Sequence, residues 1–282
     1  MKRTRTRSLL LFAPRKSTLQ GGLGAFLLVS VVLAVALAPL IAPFSQSDML
    51  GGAWGEPGGS SLLGLDNLGR DMLTRLLYGG RVTVFISFVG TILAILLGMS
   101  LGLLAAVRSG MVDAFISRLV DAAMSIPPLI CALVLLSAIG ASALTLIIAI
   151  TVLSSTRVFR LTRGAACDIV ALDYFEAAKL RKESLPWLMF REILPNIRSI
   201  IVTEFGLRLC SNFLLLSSLS FLGLGVQPPM TDWGSMVSEN AAAVHFGISA
   251  PLYPAGAIAL FTISTNLLVD WYLERQSRYA GE

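Results

Sequence analysis

Between Arg81 and Arg108 the chain carries no Asp, Glu, Lys or Arg, and comparable uncharged stretches run from Ser17 to Ser47 and from Ala122 to Thr156. A hydrocarbon core about 30 Å thick takes about 20 apolar helical residues to cross. Backbone groups inside it must find their hydrogen bonds within the segment, which favours helices. Charged residues make up 14% of the 282 residues and hydrophobic ones 55%, whereas a soluble domain carries about 25% charged residues. The sequence therefore predicts an all-α polytopic membrane protein. The net charge of +5 does not point to nucleic acid. The cations stand at the ends of apolar runs, where they set topology and meet anionic lipid.

Six transmembrane helices are expected. They lie at about Leu19–Ala42, between Arg81 and Arg108, and at about Ile116–Ile139, Ala143–Phe159, Ile200–Leu222 and Leu252–Leu273. The uncharged stretch from Ala122 to Thr156 is too long for one span, and Gly140-Ala141-Ser142 supplies a turn within it. With both termini cytoplasmic, the inner segments hold most of the Lys and Arg, and only Arg70, Arg75 and Arg81 fall outside. Reading Ala122–Thr156 as a single span would place the cation-rich stretch 157–198 outside, against the positive-inside rule. Lys2 to Lys16 followed by Ala36-Leu37-Ala38 resembles a signal peptide. The uncharged run is far longer than the 7–15 residues of a signal core, and Pro39 obstructs cleavage, so an uncleaved first span is expected. The expected organisation is a tail, first span and outer segment over 1–80, a core of five spans over 81–275 with a cytoplasmic loop at about 160–198, and a tail over 276–282.

Chemistry of the chain's own is not expected. Cys131, Cys167 and Cys210 form no CxxC pair and His245 is the only histidine, so no metal site can be assembled from them. The only lysines are Lys2, Lys16, Lys179 and Lys182, none in a GxxxxGK[ST] loop. No catalytic residue and no bound cofactor are expected.

The stretch from Asp173 to Asn196 is the most informative. Glu176 through Ser184 are mostly good helix formers, and Pro186 starts or breaks a turn. Ala177 and Ala178 form a small-residue face. Leu180, Leu185, Trp187, Leu188 and Phe190 are apolar with no membrane to enter, so they dock onto another protein or fold back on the chain's own bundle. The segment resembles the EAA motif of ABC importer permeases, in which Glu-Ala-Ala is followed by a Gly and then by Leu-Pro. Glu176-Ala177-Ala178 and Leu194-Pro195-Asn196 fall in that register. The resemblance implies a type I ABC importer permease fold, whose short coupling helix fits a groove on an ATPase subunit. Glu176, Ala177, Ala178, Leu180, Lys182, Leu185 and Pro186 are the implied contacts. Two positions depart from the pattern, with Lys182 at the usual Gly and Glu192 at a frequent His. If the Gly serves a turn with positive φ, Lys182 is strained there or reshapes the turn.

Leu63 to Asp71, followed by Arg75 to Arg81, resembles the outer segment of dipeptide, oligopeptide and nickel permeases of the DppC/OppC type. Ser220 to Pro229, with Asp232-Trp233-Gly234, is similar to the same family's signature after its fifth span, where Leu216 replaces a frequent acidic residue. The resemblance implies a bacterial inner membrane protein that pairs with a paralogous permease as a heterodimer. It also implies two ABC ATPase subunits that bind ATP and Mg, and an extracytoplasmic solute-binding protein. Peptides or similar small solutes are the implied cargo, with nickel or a metal chelate as the alternative. A stand-alone secondary transporter would call for inverted repeats, and none is evident. Within the spans, Glu204 and Arg208 stand one helical turn apart and can pair. Ser211, Asn212 and Ser217, and the break around Met124, Ser125 and Pro127, either line a pathway or pack helices closely.

Overall fold

The computed structural model describes residues 16–59 and 61–280, with side chains over 20–59 and 61–276. The N-terminal cations from Lys2 to Arg15 and residues 281–282 lie outside the described residues. Helix α1 spans Lys16–Ala36 and α2 spans Ala38–Ile41, with Pro39 in the first turn of α2, where a missing N–H costs nothing. Turns joined by isolated bridges, Met49 to Arg70 and Leu65 to Asp71, carry the chain to α3.

Helix α3 spans Met72–Val107. It starts more than two turns before Arg81, earlier than the charge pattern suggested, because Asp71 caps it. The Asp71 carboxylate accepts from the Thr74 amide at 2.7 Å. The expected third span is two helices, α4 (Met111–Met124) and α5 (Pro128–Ile139), meeting at 85°. Pro127 and Pro128 remove two successive donors, and Pro127, the last of the three residues between the helices, is held extended at φ −55°, ψ 131°. Helix α6 (Ala143–Val170) starts in a reciprocal cap between Ser142 and Thr145 and continues well past Phe159. Its charged extension is matched from α4. Asp113 takes both Arg163 Nε, at 2.5 Å, and Nη2, at 2.6 Å, and Asp121 takes Arg160 at 2.5 Å.

Helix α7 spans Asp173–Leu180 and α8 spans Leu185–Trp187. A π-type turn over Leu188–Ile193 leads into α9 (Leu194–Leu219), and a second over Ser220–Leu224 ends it. Pro195 cannot donate to the preceding turn, and the wider turn falls just before it. The fifth span is thus part of one 40-residue helical stretch, Leu185–Leu224, which takes in residues first assigned to the loop. Helix α10 (Trp233–Glu239), a 3₁₀ turn over Ala241–Phe246 and α11 (Leu252–Ala280) complete the chain.

Among the described residues, four stretches are long and apolar enough to cross a membrane: α3, α6, Leu185–Leu224 and α11. The bent α4–α5 pair makes five, and Gln20–Ala36 is a shorter apolar helix. The bundle closes on α3 and α6. Gly90, Gly98 and Gly102 of α3 lie directly on Ile150, on Ser155 and Val158, and on Thr162. Small residues let helix backbones approach where lipid offers no competing hydrophobic drive.

Candidate functional site

At one end of the bundle α7 seats two buried side chains against the rest of the chain. Phe175 and Ala178 are buried, packed with Leu188, Met189 and Ile193. Glu176, Ala177, Lys179 and Leu180 face outward, Leu180 with 79% of its surface exposed. The small-residue face foreseen at Ala177 and Ala178 is therefore divided between the outer surface and the chain's own core. Asn196 Nδ2 donates to the Tyr174 hydroxyl at 3.1 Å, joining α7 to the start of α9. Among the described residues the Glu176 carboxylate has no hydrogen bond or ion pair and remains available to a partner. Leu185 is half-buried and Pro186 exposed.

Helix α7 ends in a left-handed turn. The Lys182 amide donates to the Lys179 carbonyl at 3.0 Å and the Glu183 amide to the Ala178 carbonyl at 3.4 Å, the pair of bonds of a Schellman cap. Lys182 has φ 58°, so this chain places a lysine in the conformation that favours glycine. A side chain there costs about 1–2 kcal/mol, partly offset because glycine loses more freedom on folding. Lys182→Gly is expected to stabilise the chain by roughly 0.5–1 kcal/mol, seen as slower thermal inactivation in detergent, whereas Lys182→Ala is not. An equal gain in both would show that the charge, rather than the backbone, is the source. The second departure is also accommodated locally. Glu192 accepts from Trp187 Nε1 at 3.3 Å and lies 3.7 Å from Arg181 Nη2.

The residues proposed for a pathway fall in different settings. Ser125 and Pro127 are exposed at the α4–α5 break, beside a half-buried Met124. Ser211 is exposed on α9, with its hydroxyl turned to the Leu207 carbonyl at 2.9 Å. Asn212 and Ser217 are buried. Asn212 donates to Thr91 at 2.9 Å and accepts from Ser154, joining α3, α6 and α9. Glu204 and Arg208 form an ion pair at 2.7 Å, both largely buried.

The opposite end carries a charge cluster that the sequence reading did not assemble. Arg75, 3% exposed, reaches Asp66 at 2.5 Å, Glu239 at 2.8 Å and the Thr231 hydroxyl at 2.9 Å. Arg70 adds a 2.7 Å bond to Asp66. Asn240 accepts from the Asn67 amide at 3.0 Å and from Trp54 Nε1 at 3.3 Å. Trp233 donates to the Leu76 carbonyl at 2.7 Å. The two motifs flanking the second and fifth spans are thus one structure. Burial pushes the Asp66 carboxyl up, but the Arg70 and Leu68 amides and the two guanidinium groups outweigh it and hold the group below its ordinary value. Asp232, which caps α10 by accepting from the Ser235 amide at 3.0 Å, is raised by burial, only partly countered by such bonds. Asp232 to Ser235 is a capping sequence, and that spacing could have located α10 beforehand.

Residues 94–279 match the family described as binding-protein-dependent transport system inner membrane component. The chain is 32% identical to the di/tripeptide transport system permease protein DppC of Pseudomonas aeruginosa, covering 89% of this chain and 86% of the relative. It is 33% identical to the dipeptide transport system permease protein DppC of Haemophilus influenzae, over 88% of this chain and 86% of the relative. The glutathione transport system permease protein GsiD of Pectobacterium atrosepticum is 32% identical, over 76% of this chain and 71% of the relative.

Proposed function

The chain belongs to the family of binding-protein-dependent transport system inner membrane components, and from that premise we propose that it carries peptides inward as half of a heterodimeric permease. It is a membrane transport subunit, with ATP and Mg held by two separate ATPase partners and solute delivered by an extracytoplasmic binding protein. Relatives named for dipeptides, tripeptides and glutathione support a short peptide as cargo. Six spans follow if α1 and the bent α4–α5 pair each cross once, which leaves both termini cytoplasmic and agrees with the placement of Lys and Arg. The permease core is assigned to 81–275, extended to Met72 by the early start of α3, with tails on either side.

The observation that carries the coupling assignment is the exposed face of α7. Glu176, Ala177 and Leu180 point away from the bundle, and a free carboxylate beside an exposed leucine suits a protein groove. Phe175 and Ala178 seat the helix, while Lys182, Leu185 and Pro186 shape the turn after it. ATP-driven approach of the two ATPases would press this helix toward its counterpart and open the pathway outward, and ATPase opening would reverse it. Ser125, Pro127 and Ser211 are assigned to the pathway wall or the permease partner. Met124, Asn212 and Ser217 shape that wall from behind.

Glu176→Lys tests the coupling assignment. Charge reversal at a docked interface is expected to lower uptake of a labelled dipeptide at least about tenfold, with the chain still inserted in the membrane. Normal uptake by this variant overturns the assignment.

A further inference from the structure

The arginines of the Arg75 end are not equivalent. Arg70 and Arg75 are matched by Asp66 and Glu239. Arg81 is exposed and, among the described residues, makes no hydrogen bond or ion pair, its guanidinium lying 6.0 Å from the centre of the Tyr78 ring. It stands between two apolar troughs. One, of about 450 Å³, runs between α1 and α3 past Val32, Phe88 and Phe261. The other, of about 440 Å³, runs past Val82, Ile86, Ala143 and Met230. Arg81 and Phe85, one helical turn apart, line both and form the ridge between them.

We propose that an anionic diacyl phospholipid binds here, with its phosphate on Arg81 and one acyl chain in each trough. Depth supports this. At 1.5 Å per residue, Arg81 and Arg108 are separated by roughly 40 Å along α3, about the distance between the two headgroup regions. Tyr78 beside Arg81 is the kind of residue that gathers at that level. Charge selects the occupant. A lipid headgroup of net negative charge neutralises the guanidinium while the acyl chains fill both troughs. A zwitterionic headgroup brings its own cation beside Arg81, and a neutral apolar surface would leave the guanidinium desolvated and unpaired.

Native mass spectrometry of the detergent-purified transporter, incubated with phosphatidylglycerol or with phosphatidylcholine, tests this. The wild-type complex is expected to retain phosphatidylglycerol in preference to phosphatidylcholine. Arg81→Gln is expected to weaken that retention about tenfold, the value of one charge-assisted contact, and Arg81→Lys to keep most of it. Val32→Trp, which fills one trough and leaves Arg81 in place, is expected to lower retention as well, and assembly is read in the same spectrum. Equal retention of the two lipids by the wild type, or phosphatidylglycerol retention unchanged in both Arg81→Gln and Val32→Trp, overturns the site. So does a Phe85→Cys chain that cross-links efficiently to the partner permease, since a protein would then cover the ridge.

Discussion

Replacing Arg75 by Met is expected to destabilise the chain by about 3 kcal/mol, the lower end of the range for breaking a buried ion pair, because Asp66 keeps Arg70. Asp66 is fully buried and bonded to both Arg70 and Arg75. Methionine fills much of the volume but leaves Asp66 one partner short and Glu239 and Thr231 without their link to α3. The double variant Asp66→Asn/Arg75→Met is expected to lose less than the sum of its parts, because neither charge is then orphaned. Thermal loss of the monodisperse species in detergent measures both. A single variant within about 1 kcal/mol of the wild type, the worth of an exposed pair, would mean that the cluster is hydrated in the assembled transporter. The pH dependence has a definite sign. Asp66 is held below its ordinary value, so its contribution is fully present above the unfolded pKa and is lost as pH falls through the folded one. Asp232, raised above the ordinary value, acts oppositely, since its burial penalty grows as pH rises from the unfolded to the folded pKa.

Gly98→Leu is expected to force the α3–α6 seam apart. A Cβ at Gly98 would lie 2.5 Å from the Ser155 carbonyl oxygen and 2.6 Å from Val158 Cβ. Neither is the mobile end of a long side chain, so α3 and α6 must separate along the seam that closes the bundle. Overpacking costs about 1–3 kcal/mol and more where the backbone must move; the upper end applies here. Gly164→Leu on α6 is the control, because no atom lies within 4 Å of its Cβ position. It should leave yield and monodispersity near wild type. Comparable loss in the two variants would show that helix composition, rather than the α3–α6 approach, is responsible.

The features that could be read from the chain are those encoded locally. Uncharged runs marked the apolar helices, Pro127-Pro128 marked the break, and the one-turn spacing of Glu204 and Arg208 anticipated their ion pair. A lysine at a glycine position left two outcomes open, strain or a reshaped turn, and Lys182 keeps the left-handed backbone. What escaped was set by distant partners. A charge-based boundary stops at Arg81, yet α3 begins at Met72, where Asp71 caps it and Arg75 is neutralised by Asp66 and, 164 residues away, by Glu239. Helix α6 likewise runs on through its arginines, with Arg163 paired to Asp113 and the exposed Arg160 to Asp121 of α4. Composition also could not divide Ala177 from Ala178, since only the packing of Phe175 decides which alanine faces inward.

The Arg75 cluster also sets an order for biogenesis. Asp66 and Arg75 are nine residues apart and can meet as soon as their segment is made. Thr231 and Glu239 follow 156 and 164 residues later. At ribosomal speeds of about 5–20 residues per second, that is an interval on the order of ten seconds or more. For that time the half-built chain presents a preassembled acceptor and waits for α10, so the joining of the two segments is a late event, with α11 still to follow.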